Sequence, residues 1–364
     1  REKPAVVALV APKDEIDPMT RQMMMQMGRP VPPARDDYEY LERFLGVEKY
    51  DVRRVDLTKE SPLPEEYDTL VVVNPTRLDE RQKWEINRAL RAGKSVLLAV
   101  QNYTWDYQTT QRGGYRATKR ANDPGVNPLL KNYGVEVSDD VLMDVNFVTL
   151  TIQDPNNPLA ALLGGGQQVK LPTHIMLTNP SMAHDVSITN RLASVLYLWG
   201  APLKLDDETL NKDGLDAKVL MQTSDRSWTV DSSRLVSSDY FEPPSSGRQA
   251  YPVMAMISGQ FPDAYEGKER PEWQTQPGQR PDEDTTPEPP ATPIEPKPGK
   301  LIVIGCAEVF SKSFLQSGNL DLFLNSVDAL TLGDDLVNVR GGKAVDRVFD
   351  KPSAATRRLW KVIN

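Results

Sequence analysis

Apolar residues occur along the chain in short runs that are separated by polar stretches. Residues 70–73 form such a run without a polar interruption, which is typical of a strand covered on both faces of a parallel sheet. Asp79, with Gln82 three residues later, predicts a capped helix start, and Gly93 is placed to end that helix in the left-handed conformation. A second apolar run follows at 95–100. We therefore predict a strand, a helix and a strand that form a parallel βαβ unit.

The residues before this unit predict two more strands of the same sheet, at 5–11 and 50–57. The helix between them is expected to start at Asp36, because Glu39 is placed as its capping-box partner, and to end at Gly46. The pattern thus continues the alternation of strand and helix.

Later apolar runs predict strands at 251–257 and 301–305 and a helix around 320–330. Short β-prone runs recur between 169 and 228 and indicate a smaller β-rich part. The predicted fold class is α/β, with a mostly parallel sheet that carries helices on both faces.

The same patterns suggest how the chain is divided. Nine prolines between residues 271 and 298, together with many acids and few aliphatic residues, are typical of an extended linker. The expected parts are the first part of the α/β domain at 1–150, a smaller β-rich part at 151–250, a strand that returns to the sheet at 251–262, a proline-rich acidic linker at 263–300, and the last strand and helix with a membrane-proximal tail at 301–364.

Composition narrows the possible functions. The formal net charge is −8 and no basic helix or basic-aromatic alternation occurs, so a nucleic-acid partner is not expected. Cys306 is the single cysteine, which excludes an intrachain disulfide. No stretch approaches the roughly 20 apolar residues of a membrane span, and no signal peptide is recognisable. Because the chain begins with Arg1, we expect it to be part of a longer protein.

Three stretches in a fixed order carry a resemblance to a known family: YDTLVVVNPTRLDERQKWEINRALRAGKSVLLAV, then NPLLKNYGVEVSDDVLMD, and later KPGKLIVIGCAEVFSKSFLQSGNLDLFLNSVDALTLGDDLVNVR. The chain resembles the GldG-like, gliding-motility-type auxiliary proteins of ABC transporters, often described as an ABC-type uncharacterised transport system. The resemblance covers nearly the whole chain.

The resemblance implies a class I amidotransferase-like or flavodoxin-like α/β domain, of a kind shared with an intraflagellar-transport protein. It also implies a parent chain anchored in the cell membrane, with this part on the extracytoplasmic (periplasmic) side. The ABC permease and ATPase subunits of the same system would be its partners. The stretch ATRRLWKVIN ends where similar proteins enter a membrane span. ATP binding is not expected, because the chain has no Walker motif.

Cys306 is the first candidate for catalysis, since a cysteine after a buried strand is the nucleophile of amidotransferase-like enzymes. His174 and His184 are the only possible histidine bases, and neither lies in a setting that resembles the His-x-Glu of that family. We therefore expect a structural cysteine and no enzyme, and an amidotransferase-like activity is the least favoured hypothesis.

Metal ligands and cofactors are not expected either. The two histidines lie ten residues apart in different predicted elements, without the spacing of a zinc site. Asp139, Asp140 and Asp144 lack the alternating oxygen ligands and the glycine of a calcium loop, and we expect them to be solvated acids.

Two binding surfaces are predicted at the carboxyl ends of the strands, where ligands of doubly wound sheets bind. The segment 12–35 contains five methionines, among them Met23, Met24 and Met25, and methionine suits surfaces that adapt to a partner. The alternative for this segment is a disordered loop, or a loop that folds on its own core. A polar, aromatic loop is expected at 101–122 after the fourth strand. The remaining binding candidates are Arg77, just after the third strand, and Tyr103, Trp105 and Tyr107 in this loop.

These surfaces leave two hypotheses open. The leading one is a non-catalytic domain that contacts partner proteins or substrate outside the membrane. The alternative is a module that binds a saccharide, a peptide or another small ligand by aromatic stacking and polar contacts in the crevice.

Overall fold

The structure is a computed structural model and describes residues 3–13, 18–31, 35–109, 115–152, 167–233, 242–274, 288, 290–316 and 318–333. The strands are β1 (Val6–Val10), β2 (Asp51–Arg54), β3 (Thr69–Val73), β4 (Ser95–Ala99), β5 (Tyr103–Thr109), β6 (Tyr115–Ala121), β7 (Val135–Val137), β8 (Val141–Met143), β9 (Phe147–Ile152), β10 (Gln167–Thr178), β11 (Ser194–Leu198), β12 (Leu203–Leu205), β13 (Asp216–Gln222), β14 (Trp228–Val230), β15 (Pro252–Gly259) and β16 (Gly299–Ile304). The α-helices are α1 (Pro18–Gln26), α2 (Glu39–Val47), α3 (Glu80–Arg91), α4 (Asn127–Leu130), α5 (Asp207–Asp213) and α6 (Gly318–Leu332).

A seven-stranded sheet forms the centre, in the order β13-β15-β16-β4-β3-β1-β2. The strands from β16 to β2 pair in parallel, whereas β15 and β13 pair antiparallel to their neighbours. The α/β class and the mostly parallel sheet are thereby confirmed. β13 lies inside the range 151–250 that the sequence assigns to the smaller part, yet it extends the main sheet.

Helices cover both faces of this sheet, as predicted. On one face α2 and α6 pack against inward side chains such as Leu9 and Val71, which all belong to one buried apolar cluster. On the other face α3 packs against Leu70 and Val72 in a second cluster. All five residues of β3 are buried, because a central strand has no face towards solvent.

The unit β3-α3-β4 forms as its local sequence predicts. The side chain of Asp79 accepts a hydrogen bond from the backbone N–H of Gln82, and the Gln82 side chain returns one to the Asp79 backbone. Gly93 follows the last helical turn with a φ of +76°, the left-handed conformation that ends the helix.

The predicted start and end of α2 are wrong. The helix begins at Glu39, and its N-cap residue is Tyr38, which makes no side-chain cap. The Asp36 carboxylate lies before the helix, where it binds Arg54 and the backbone N–H of Tyr38. Gly46 lies within the helix, and Lys49, with a φ of +67°, adopts the left-handed conformation after its end.

The predicted loop at 101–122 is also wrong at 103–109 and 115–121, where the chain forms strands. β5 and β6 form an antiparallel hairpin in which Tyr103 pairs with Ala121 and Thr109 with Tyr115. Smaller antiparallel sheets complete the described chain: β9-β10-β11, β7-β12 and β8-β14.

The described parts of the segment 263–300 contact α3. Arg81 of α3 lies with its guanidinium 4.9 Å from the ring centre of Trp84 and 4.3 Å from that of Trp273, and its Nη1 donates to Glu288 at 2.9 Å. Asn87 donates to the carboxylate of Asp263 at 2.9 Å. Both ends of the proline-rich segment are therefore held on the outer surface of this helix.

Candidate functional site

The carboxyl edge of the parallel strands is organised around Gln101, which is buried just after β4. Its Oε1 accepts hydrogen bonds from the backbone N–H groups of Ala307 (2.9 Å) and Glu308 (3.2 Å). Its Nε2 donates to the carbonyls of Tyr103 (2.8 Å) and Trp199 (3.1 Å). One side chain thus joins the ends of β4, β11 and β16.

Cys306 follows β16 at this edge and is fully buried. Its thiol donates to the carbonyl of Leu198 at 3.1 Å, and burial raises the pKa of Cys306 to about 12. Because the thiolate is the nucleophilic form, this environment keeps the sulfur in its unreactive state at neutral pH.

The histidines do not complete a catalytic pair with this thiol. His174 lies on β10 with its ring centre 5.3 Å from that of Trp199, and burial lowers its pKa to about 3. His184 is exposed to solvent. The hydrogen bond of Cys306 goes to a backbone carbonyl and not to either imidazole.

Gly305 explains why the chain can pass closely beside Cys306. The backbone N–H of Ala201 donates to the Gly305 carbonyl at 2.7 Å, and a Cβ on Gly305 would lie 2.2 Å from the Ala201 oxygen. The glycine therefore serves a close backbone approach.

Glu308 is a half-buried titratable group at this edge. Burial raises the pKa of its carboxyl group above the ordinary range. Tyr38, which is almost completely buried, has its pKa raised by burial and further by the nearby charge of Glu308. These groups shape a polar but largely enclosed edge.

The methionine segment leaves the sheet at this edge and returns to it. Arg54, at the end of β2, donates from Nη2 to the carbonyl of Ala11 at 3.2 Å, where the segment begins. The same guanidinium binds the carboxylate of Asp36, where the segment ends, at 2.6 and 2.9 Å. Burial alone would raise the pKa of Asp36, but the hydrogen bonds from Arg54 and from the Tyr38 backbone lower it below its usual value.

Within the segment, α1 turns most of its methionines to solvent. The exposed fractions are 77% for Met19, 51% for Met23, 63% for Met25 and 60% for Met27, whereas Met24 is half-buried. Single exposed apolar residues are common on protein surfaces, but here four exposed methionines lie within the nine residues 19–27.

The other predicted binding residues differ in their exposure to solvent. Arg77 is exposed, with a φ of +49°, and its backbone N–H donates to Asp123 at 2.7 Å. Tyr103 and Trp105 are buried in a small apolar cluster with Trp228, and the Tyr103 hydroxyl donates to a backbone carbonyl. The side chain of Tyr107 lies outside the described residues. Ligand binding by these four residues remains a prediction that the burial of both rings does not favour.

Acidic residues near β8 also differ from expectation. Asp144 is buried instead of solvated, because its carboxylate accepts hydrogen bonds from the Ser224 backbone (2.8 Å), the Ser224 hydroxyl (2.7 Å) and the Asn146 backbone (3.0 Å). Within the described ranges no group of three or more His, Cys, Asp or Glu residues could hold a metal ion.

Sequence reasoning missed Arg54, Gln101 and Asn74. Asn74, with a φ of +50°, accepts a hydrogen bond from Asn122 at 2.9 Å and helps to join β3 to the hairpin. All three side chains form hydrogen bonds with residues that are distant in the sequence, so the neighbouring sequence does not indicate their structural roles. A groove beside β12 was missed for the same reason.

The fold and the edge together define a class of protein: an α/β domain with a large, mostly parallel sheet, in which the buried Cys306 thiol bonds to a backbone carbonyl. The chain belongs to the family described as an ABC-type uncharacterized transport system, which matches residues 6–326. It is therefore an auxiliary protein of ABC-type transport, as the sequence predicted at this level. Among the described residues, no helix is both long and apolar enough to cross a bilayer.

Solved structures with a related chain path include the "mmIFT52 N-terminal domain", at 14% identity and a TM-score of 0.44, over 91% of this chain and 98% of that one. A putative ThuA-like protein from Bacteroides uniformis is similar at 9% identity and a TM-score of 0.38, over 92% of this chain and 95% of that one. A comparison with curated proteins produced no match.

Proposed function

We propose that this chain is a non-catalytic, partner-binding domain of an ABC-transport auxiliary protein, and that α1 is its contact surface. The observation that carries this proposal is the exposure of Met19, Met23 and Met25 on α1, and of Met27 directly after it, in a segment whose two ends are bound by Arg54. Methionine side chains are flexible and polarizable, which suits a surface that must adapt to a partner.

The absence of catalysis is part of the same proposal. The buried Cys306 thiol has its pKa raised to about 12 and bonds to a backbone carbonyl, so it lacks the activation that an acyl-transfer nucleophile requires. A substitution of Cys306 by alanine should leave transport unchanged if the protein folds. A transport defect in a folded variant would argue for chemistry at this position.

We further propose the finer relationships that the sequence resemblance suggests. The protein would be GldG-like, its sheet domain would be of the class I amidotransferase-like type, and it would act on the extracytoplasmic side of the membrane. Its partners would be the permease and the ATPase of the same system, with the permease in direct contact.

The contact surface can be tested by photocrosslinking in native membranes. A benzoylphenylalanine would replace Met25 in the full-length protein, and Val47 in a matched control, since these side chains are 63% and 64% exposed. We expect crosslinks to a permease subunit from position 25 and not from position 47. Equal crosslinking from both positions, or none from position 25, would reject α1 as the contact surface.

The side of the membrane is a separate question with its own measurement. Met25→Cys should react with a membrane-impermeant maleimide in intact cells whose outer envelope has been permeabilised, while the buried Cys306 does not react. Labelling of Met25→Cys that occurs only after lysis of the inner membrane would place the domain in the cytoplasm.

A further inference from the structure

The free edge of β12 is the feature that the proposed function does not use. β12 pairs antiparallel with β7, with Leu203 opposite Val137 and Leu205 opposite Val135. The flanking backbone hydrogen bonds, Ser138 to Pro202 and Asp206 to Gly134, show which pairs bond directly. Since bonded pairs alternate along an antiparallel ladder, the backbone groups of Leu203 and Leu205 point away from β7.

The opposite edge of the same two-stranded sheet is closed at Val137. The backbone N–H of Val137 donates to the side chain of Asn127 at 3.0 Å, and the Asn127 amide donates to the Val137 carbonyl at 2.9 Å. One asparagine thus satisfies both outward backbone groups of Val137.

No such closure exists on β12 within the part of the chain that the structure describes. The N–H and C=O groups of Leu203 and Leu205 have no hydrogen-bond partner there. Leu203 is itself buried and Leu205 is half-buried. Backbone groups in native proteins are nearly always paired, with protein or with water, so this edge is open to a bonding partner.

A groove of about 440 Å³ runs along this edge. Its walls are the strand β12 on one side and residues 249–252 on the other, and Asp140 and Asp207 also line it. The volume falls in the range of clefts that bind ligands, about 300–1,000 Å³. The groove therefore combines an unpaired strand edge, apolar leucine side chains, the exposed Lys204 and two carboxylates that outnumber this single cation.

We infer that the β12 edge binds an extended segment of a partner protein, which joins the sheet as a third strand and carries a basic residue at its flank. Backbone hydrogen bonds to Leu203 and Leu205 would hold the segment, as in other cases of strand addition. The carboxylates of Asp140 and Asp207 would favour lysine or arginine beside it.

The edge can be tested first without any ligand, by amide hydrogen exchange of the whole chain followed by NMR. We expect the Leu203 and Leu205 amides to exchange quickly, while the Lys204 amide between them is protected by its bonds to β7. Slow exchange at both leucines in the free chain would show that the edge is already filled, and would overturn the inference.

Binding is tested with a defined probe, the peptide acetyl-Lys-Val-Thr-Val-Thr-Val-Lys-amide, in calorimetric titration. We expect saturable binding together with new protection of Leu203 and Leu205. The control peptide has the same side chains but methylated backbone nitrogens at its five central residues, so it cannot donate to the edge and should not bind. Absence of binding at millimolar peptide, or equal binding of the methylated peptide, would overturn the proposal.

The charge requirement is tested on the protein. Asp207→Lys, at the exposed first turn of α5, should weaken binding of the basic peptide by roughly tenfold, since an attractive charge becomes a repulsive one. A version of the peptide with glutamates at its ends should bind this variant with the affinity that the basic peptide has for the wild type. An unchanged affinity of both peptides would reject the role of the carboxylates. Self-association of the free chain that is lost when Leu205 is substituted would overturn the proposal of a partner protein, because a second copy of this chain would then occupy the groove.

Discussion

The guanidinium of Arg54 holds the carboxylate of Asp36 through two hydrogen bonds, Nη1 to Oδ2 at 2.6 Å and Nη2 to Oδ1 at 2.9 Å. The side chains of both residues are mostly shielded from solvent, with exposed fractions of 8% and 18%. The same Nη2 group reaches the carbonyl of Ala11. This pair therefore joins the point where the methionine segment leaves the sheet to the point where it returns.

Removal of the Asp36 charge should destabilise the protein. Asp36→Asn loses a charge-assisted pair and leaves a buried guanidinium without its counter-ion, so we expect the free energy of unfolding to fall by about 1.5–3 kcal/mol. Urea denaturation measures this change. As a control, Asp51→Asn at the exposed pair with Arg53 should change the stability by less than about 0.5 kcal/mol.

The same pair predicts an acid sensitivity. The pKa of Asp36 is lowered in the folded protein, so its contribution to stability is complete above the unfolded value of about 3.9 and is lost as the pH falls through the folded value. We expect wild type to lose more stability than Asp36→Asn between pH 5 and pH 2. Parallel pH profiles for the two proteins would contradict this role of the carboxylate.

His174 should destabilise the fold at mildly acidic pH. Its pKa is lowered to about 3 by burial, while in the unfolded chain it is about 6.5, so only the unfolded state binds this proton between these values. Stability from the neutral ring is present above pH 6.5 and declines as the pH falls, with a slope that approaches about 1.4 kcal/mol per pH unit.

The experiment compares the two histidines. His174→Gln should flatten the decline in unfolding free energy between pH 6.5 and pH 5, whatever its effect at neutral pH. His184→Gln, at an exposed position, should keep the wild-type slope. An unchanged slope in His174→Gln would mean that the ring is protonated in the folded state.

Gly305 should not tolerate a side chain. In Gly305→Ala the new Cβ would meet the Ala201 oxygen at 2.2 Å and the Tyr197 hydroxyl at 2.7 Å, so we expect a loss of about 1–3 kcal/mol in unfolding free energy. Gly46→Ala is the matched control, because Gly46 is helical and nothing lies within 4 Å of its added Cβ. That variant should be neutral or stabilised by up to about 1 kcal/mol.

Arg81 should hold the segment 263–274 on α3. Arg81→Lys keeps the charge but loses the planar guanidinium that bonds Glu288 and contacts Trp273, so amide exchange in 263–274 should accelerate while β3 and β4 stay protected. Arg226→Lys, at an exposed site, serves as control. Unchanged exchange in 263–274 would show that the contacts of Asp263 with α3 are enough to hold this segment without Arg81.

Local signals explain how much of the fold could be predicted. The capping box of Asp79 and Gln82 and the apolar run of β3 lie within one short stretch, and this unit formed as expected. Asp36 carried the same kind of signal but is bound by Arg54, eighteen residues away. The capping-box pattern considers only neighbouring residues, so it cannot predict that a distant arginine binds the same carboxylate.

The hairpin of β5 and β6 was missed although its pattern is local. Tyr103 and Trp105 alternate with polar residues, which is the period of a strand, and the rings face a core that only folding assembles. Their aromatic and polar character had favoured a binding loop instead. The prediction of a binding loop relied on the aromatic and polar residue types, whereas the alternation of these residues would have predicted the strand correctly.

The candidate sites were harder to predict than the fold, because they depend on contacts between residues that are distant in the sequence. Cys306 could be judged structural from its flanking residues, but Gln101 and the free edge of β12 become visible only once strands distant in sequence meet. The exposure of the methionines on α1 likewise follows from the absence of a packing neighbour among the described residues, which no sequence pattern states.

The place of β16 in the sheet has a consequence for synthesis of the protein. This strand lies between β4 and β15, although about two hundred residues separate it from β4 in the chain. Until residue 304 has left the ribosome, β4 and β15 each present an unpaired apolar edge. The central sheet can then close only after most of the chain has been made, so the growing polypeptide needs protection from aggregation during this interval.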